Sequence, residues 1–241
     1  MRLDQLLVER GLFASREQAR RAVMAGAVEV DGRRLDKPGT AVGPHVGLAV
    51  REREPFVSRA GRKLSGALDH FAIDPAGRVC LDVGASTGGF TDCLLQRGAL
   101  RVYALDVGFG LIDARLRADP RVVVIERVNA RHLAPDALPE PAGLATVDVS
   151  FISLLKVVPA LLAHLAPGGD LLPLVKPQFE VGRAAVGKGG IVRDEATRLA
   201  VIEQRAAELA ALGLDLVGRC DSALPGADGN REAFLWLRKP R

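Results

Sequence analysis

Residues 80–90 of this chain, Cys-Leu-Asp-Val-Gly-Ala-Ser-Thr-Gly-Gly-Phe, constrain its fold more than any other stretch. Apolar residues around one acid run into a turn of small residues holding Gly84, Gly88 and Gly89. Residues 90–96 then carry helical periodicity, so the order predicts strand, tight loop, helix. In open α/β sheets, ligands bind in the crevice outside the carboxyl ends of the strands, and glycines there allow a sharp turn and a close approach. The ligand loop is expected to span Asp82, Gly84, Ala85, Ser86, Thr87, Gly88, Gly89 and Phe90. Its G-x-x-x-G-G spacing is not the G-x-G-x-x-G of dinucleotide folds, and no lysine follows as in a phosphate loop, which disfavours a pyrophosphate. A nucleoside with an uncharged or zwitterionic tail remains, such as S-adenosylmethionine. A second strand, residues 101–106, ends on Asp106 about 20 residues past the loop, where ribose hydroxyls are gripped.

The 241 residues suffice for a large domain plus a small module. The longest apolar run, residues 154–166, is too short for a membrane span and carries Lys156, Pro159 and His164. The amino terminus leads into a charged amphipathic pattern rather than a signal peptide, so a cytoplasmic protein is expected. Cys80, Cys93 and Cys220 fit no metal spacing, and no metal is expected. A net charge of +4 permits a polyanionic partner. Only six of the 33 basic residues are lysines. A lysine in a structured position therefore calls for a reason, and one is that an amine can be deprotonated where a guanidinium cannot.

Residues 1–50 read as a separate module. Residues 2–11 form a short amphipathic helix ended by glycine. Ser15 caps a second helix over 16–25, with Gln18 at the capping-box position and Gly26 closing it. Residues 27–35 read as strand, Asp-Gly turn, strand. Arg16 and Arg20 share one helix face with Arg21 beside them, and Arg33, Arg34 and Lys37 cluster after the turn. A solvated face would also explain them, since residues 1–40 hold eight basic and six acidic side chains. Residues 51–57 read as a charged linker. Residues 58–241 form the second domain, opening on a helix capped by Ser58 with Arg62 and Lys63 exposed opposite Leu64, Ala67, Leu68 and Phe71.

From residue 78 strands and helices alternate. Strands are expected at 79–83, 102–106, 122–125, 144–149 and 171–176, short and apolar as buried parallel strands are. A helix is expected around 154–166 and a long one, capped by Asp194, over 196–212. The strands at 214–221 and 232–237 are joined closely enough for a hairpin, so the last should run antiparallel. The class is α/β, a doubly wound, mostly parallel sheet with an antiparallel end. In such a sheet Asp148 and Lys176 end neighbouring strands on the edge of the Gly84 loop. Glu232 opens the antiparallel strand on the same edge, and Lys63 can reach it. Each has a bland reading alone, as a cap, a hairpin charge or a solvated side chain. Together they suit deprotonation of a hydroxyl beside a methyl sulfonium, with Lys176 as general base or orienting group, Asp148 positioning it, and Lys63 and Glu232 holding the acceptor.

The first forty residues, with S-R-x-x-A-R and V-x-V-D-G, resemble the S4 RNA-binding domain. That implies Arg16, Arg20, Arg21 and Arg33 on RNA phosphates, and Arg2 and Arg59 complete the candidate set. "VSRAGRKL", "CLDVGASTGGFTDCLLQRGA", "VDVSFISL", "PLVKPQFEVGR" and "LPGADGNREAFLWL" resemble the hemolysin A family of ribosomal RNA 2′-O-methyltransferases, an S4 domain fused to a Rossmann-like methyltransferase domain of the heat-shock RNA methyltransferase type. The resemblance implies a seven-stranded sheet and a catalytic Lys-Asp-Lys-Glu tetrad at Lys63, Asp148, Lys176 and Glu232. It places Gly84, Ser86, Gly88 and Asp106 in the S-adenosylmethionine site, with Asn129 and Ala130 near the adenine. It implies methylation of cytidine ribose in ribosomal RNA or an assembled ribosomal subunit, and likeness to the family's shorter form favours the large subunit. The alternatives are a membrane-active haemolysin and a non-catalytic RNA-binding assembly factor.

Overall fold

The computed structural model describes residues 1–50, 54–182 and 186–241. The chain forms two compact units, Met1–Glu54 and Pro55–Arg241. Part of the expected linker, residues 51–53, lies outside the described residues. Its other end belongs to the second unit: Phe56 and Val57 pack against that unit's core, and the Val57 N–H donates to Asp92 Oδ2 at 2.8 Å.

The first unit packs α1 (Leu3–Glu9) and α2 (Arg16–Met24) on a small antiparallel sheet of β1 (Val28–Val30), β2 (Arg33–Arg34) and β3 (Leu48–Val50), ordered β2-β1-β3. Ser15 Oγ accepts from the Gln18 N–H at 3.3 Å, which sets the start of α2. Asp31 and Gly32 both have positive φ, 49° and 76°, and the tight β1–β2 turn needs such residues. Leu3, Leu7, Ala19, Val23, Val28 and Val30 form the core. β3 was not expected; its pairing with β1 is long-range and leaves only a three-residue trace in the sequence.

The second unit opens with α3 (Ala60–Phe71), followed by β4 (Val79–Val83), α4 (Gly89–Gln96), β5 (Arg101–Asp106), α5 (Ala114–Arg117), β6 (Val122–Glu126) and β7 (Ala142–Val147). After α6 (Val158–Leu161) come β8 (Leu165–Val175), α7 (Pro177–Glu180), α8 (Glu195–Ala210), β9 (Asp215–Asp221) and β10 (Ala233–Arg238). The sheet runs β6-β5-β4-β7-β8-β10-β9, and β10 is antiparallel to both its neighbours. Leu81, Leu105, Leu144, Leu171 and Phe234 are fully buried within it. Each such side chain contributes about 1.5–3 kcal/mol relative to exposure, which is why these strands read as apolar runs.

Three expectations are corrected. The helix expected around 154–166 is a short 3-10 turn at Leu154–Lys156, then α6, then another 3-10 turn at Leu162–His164. The expected stop at Pro167-Gly168-Gly169 lies inside β8, whose pairing with β7 shifts register there. Lys63 is not exposed but buried, because its partner arrives from β10. In addition, α3 begins one residue later than expected: Arg59 is its flanking residue, and Ser58 Oγ accepts from the Ala60 N–H at 3.3 Å. Among the described residues no helix is long and apolar enough to cross a membrane.

Candidate active site

The turn after β4 is shaped first by the protein's own backbone. Gly84 has φ +82°, and a Cβ there would lie 2.5 Å from the Asp148 carbonyl oxygen. A Cβ on Gly89 would lie 2.3 Å from Ser58 Oγ. The glycines thus let the ends of β4 and β7, and the start of α3, close on one another. Asp106, at the end of β5, holds the turn from the other side, accepting from the Ser86 N–H at 2.8 Å and the Gly108 N–H at 2.7 Å.

Two neighbouring hollows open at this edge. A cleft of about 310 Å³ is lined by Gly84, Ser86, Asp106, Asn129, Ala130 and Asp148, with Val128, Val149, Phe151 and Ile152 as apolar walls. A smaller hollow of about 190 Å³ is lined by Ser58, Ala85, Thr87, Gly89, Phe90 and Lys176, and shares Gly84, Ser86, Asp148 and Ser150 with the cleft. Asn129 also accepts from the Arg131 N–H at 3.0 Å, which fixes its side chain at the wall.

Two members of the expected ligand loop line neither hollow. Gly88 faces Leu116 and Ile112. Asp82 is fully buried beneath the loop, where its carboxylate accepts from Thr91 Oγ1 at 2.7 Å and Thr146 Oγ1 at 3.1 Å. Burial pushes that carboxyl up to about 7, against the lowering effect of the two threonine hydroxyls.

The four expected charged residues form two ion pairs. Lys176 Nζ lies 2.7 Å from Asp148 Oδ1 and donates to Ser150 Oγ at 2.9 Å. Lys63 Nζ donates to Glu232 Oε2 at 2.5 Å, with both side chains buried. Because Ala233 pairs with Val175, Glu232 and Lys176 occupy adjoining positions on the same sheet edge.

The candidate RNA contacts divide. Arg2 and Arg16 both bind the buried Asp4 carboxylate, Arg2 at 3.0 Å and Arg16 at 3.1 Å. These bonds, Arg2's first, hold the Asp4 carboxyl at about 2, below the usual carboxylate range. Arg21 lies 3.8 Å from Glu17. Arg20 and Arg33 are exposed and make no ion pair among the described residues, and Arg59 is exposed beside α3.

Two further residues at this edge carry little mark in the sequence: Ser150, which anchors Lys176, and Phe151. Phe151 is 90% exposed at the cleft wall, with φ +63° and its ring 4.9 Å from that of Phe179. The only trace was a Ser-Phe pair following Asp148. Among the described residues there is no metal-ligating cluster.

A seven-stranded α/β sheet with one reversed strand, a small-residue turn after β4 and an acid ending β5 define a methyltransferase fold. Residues 56–239 match the FtsJ-like methyltransferase model and residues 1–46 the S4 domain, and the chain belongs to the FtsJ-like methyltransferase family. It is 51% identical over 239 residues to the 16S/23S rRNA (cytidine-2′-O)-methyltransferase TlyA of Mycobacterium tuberculosis, covering 98% of this chain and 89% of that protein. It is 40% identical over 233 residues to Hemolysin A of Brachyspira hyodysenteriae, covering 96% and 97%. A solved structure from Streptococcus thermophilus, described as a candidate hemolysin, superposes with a TM-score of 0.77 at 42% identity, covering 100% of this chain and 88% of that one.

Proposed function

We propose that this methyltransferase moves the methyl group of S-adenosylmethionine to the ribose 2′-hydroxyl of a cytidine in ribosomal RNA. The observation that carries the reading is the Lys176 amine, held between Asp148 and Ser150 in the hollow beside the cleft. The kinship with the cytidine-2′-O-methyltransferase of M. tuberculosis supports both the base and the ribose assignment.

The cleft fits the cofactor: its volume lies within the range of small-molecule sites, with mainly apolar walls and a few polar groups. Asn129 and Ala130 would border the adenine and Asp106 the ribose. The bound cofactor supplies a sulfonium that activates its own methyl group. Lys176 serves the acceptor hydroxyl as general base or orienting group, while Asp148 and Ser150 fix its amine. The buried Lys63–Glu232 pair lines neither hollow; it braces the sheet edge from which Lys176 faces the acceptor nucleotide. Exposed Phe151 offers a face for an unstacked base. Arg20, Arg21 and Arg33, with Arg2, Arg16 and Arg59, supply phosphate contacts, which position RNA without reading its sequence. Free RNA or an assembled subunit could meet these contacts, and unmodified subunits of both sizes are the substrates to offer first.

Lys176→Ala tests the assignment. Methyl transfer should fall by about a hundredfold or more, as expected for loss of a positioned acid–base group, while cofactor binding stays within about threefold of wild type. Wild-type turnover in that variant would remove Lys176 from the chemistry.

A further inference from the structure

We infer that Glu180 is a positioning residue for the Lys176–Asp148 pair, a role that rests on the methyl-transfer reading above. Lys176 flanks the start of α7 and Glu180 is its last residue, so the two end one segment. Asp148, Ser150 and Leu154 lie on a second segment. Three rungs join the two. Lys176 meets Asp148 and Ser150, the Phe179 ring meets the Phe151 ring, and Glu180 meets Ser153 and Leu154. The last rung is the most buried, with the Glu180 side chain 2% exposed against 12% and 17% for Lys176 and Asp148. Glu180 Oε2 accepts from Ser153 Oγ at 2.7 Å and Oε1 accepts from the Leu154 N–H at 2.8 Å.

The carboxylate is almost fully shielded, and Arg205 of α8 stands behind it with Nε at 3.6 Å from Oε2. Glu208 in turn holds the other end of that guanidinium, with Arg205 Nη1 at 2.7 Å. Glu180 therefore spans from α8 to the start of the 3-10 turn at Leu154–Lys156. Such a span is needed here. The residues between Asp148 and Ser153 form no helix or strand, and Phe151 sits at positive φ, a conformation costly for a side chain of that size and kept only where its surroundings impose it. With Glu180 in place, Asp148 and Ser150 are presented to Lys176. Without it, the loop has lost its most deeply buried anchor, and only the two more accessible rungs remain. Glu180 touches neither hollow, so it acts through the pair.

The test compares Glu180→Ala and Glu180→Gln with wild type in the full-length protein. Gln keeps an acceptor for the Leu154 N–H and a donor for Ser153 Oγ; Ala keeps neither. Single-turnover methyl transfer at saturating RNA and cofactor should fall about a hundredfold in Glu180→Ala, the scale expected for reacting groups misplaced by roughly 1 Å. Glu180→Gln should recover to within about tenfold of wild type. A second readout needs no activity. Competitive acylation followed by mass spectrometry should show Lys176 labelled about tenfold faster, relative to exposed Lys37, once its partners are loosened by the Ala change. A Glu180→Ala protein with wild-type transfer and unchanged Lys176 labelling would overturn the role. So would a Gln variant as impaired as Ala in both readouts, since that would make the residue's charge, not its bridging bonds, the operative feature. If wild type itself transfers no methyl, the functional reading fails, and the acylation result still decides whether Glu180 holds the pair.

Discussion

Gly84 and Asp148 meet backbone to backbone: the Gly84 Cα faces the Asp148 carbonyl so closely that a Cβ would come within 2.5 Å of its oxygen. The turn that borders the cleft and the carboxylate that orients Lys176 are therefore set by one contact. Gly84→Ala should push the two strand ends apart and strain a residue at φ +82°, costing about 1–3 kcal/mol of stability. Calorimetric cofactor binding should weaken by more than tenfold, or roughly 1.4 kcal/mol. Unchanged affinity would mean that the turn relaxes without moving Asp148.

The buried pair of Lys63 and Glu232 should separate stability from function. Lys63→Met or Glu232→Gln alone leaves a buried charge unpaired and should cost about 3–5 kcal/mol in denaturant unfolding. The double change Lys63→Met with Glu232→Met removes both charges and should regain most of that stability, since a buried pair contributes little net. Methyl transfer should stay impaired in the double variant. Recovery of transfer together with stability would reduce the pair to a structural role.

The Asp4 cluster predicts how the first unit responds to acid. Its carboxyl lies at about 2 in the folded state, below its ordinary value of 3.8. A depressed folded value means stability present above the unfolded value and lost as pH falls from near 4 through about 2. After allowance for the half-exposed arginines, the contribution is about 1 kcal/mol. Methyl NMR signals of Val23 and Val30, which report this core, should show acid loss of structure in wild type. In Asp4→Asn the unit should already be weaker at neutral pH, with a flatter response between pH 4 and 2. Parallel acid profiles would mean that Asp4 gains nothing from Arg2 and Arg16.

What the sequence made legible follows the range of the forces involved. The helices starting after Ser15 and Asp194, and the turn at Asp31-Gly32, are set by neighbours a few residues away, and they were read within a residue or two. The central parallel strands β4, β5 and β7 were legible as short apolar runs because they are buried in the sheet. The same apolar character misled at 154–166, where composition alone cannot tell a helix from short turns leading into a strand. Pro159 is accommodated there in the first turn of the four-residue α6. The burial of Lys63 was hidden because its partner is 169 residues away. The expectation that Lys63 and Glu232 share an edge came from the sheet's topology, which the β10 pairing realises. Phe151 ran against its residue type: no local pattern marks an exposed phenylalanine held at positive φ. The loop glycines were recognised, but their reason was only half seen. They accommodate Asp148 and Ser58 before any ligand arrives.

Methylation of a ribose at this edge is tested by offering unmodified ribosomal subunits and S-adenosylmethionine labelled in its methyl group. Nuclease digestion and mass spectrometry then locate the label. Label is expected on the 2′-oxygen of a cytidine, absent when Lys176 is replaced by alanine. Label on a base, or equal labelling by the Lys176→Ala protein, would contradict this expectation.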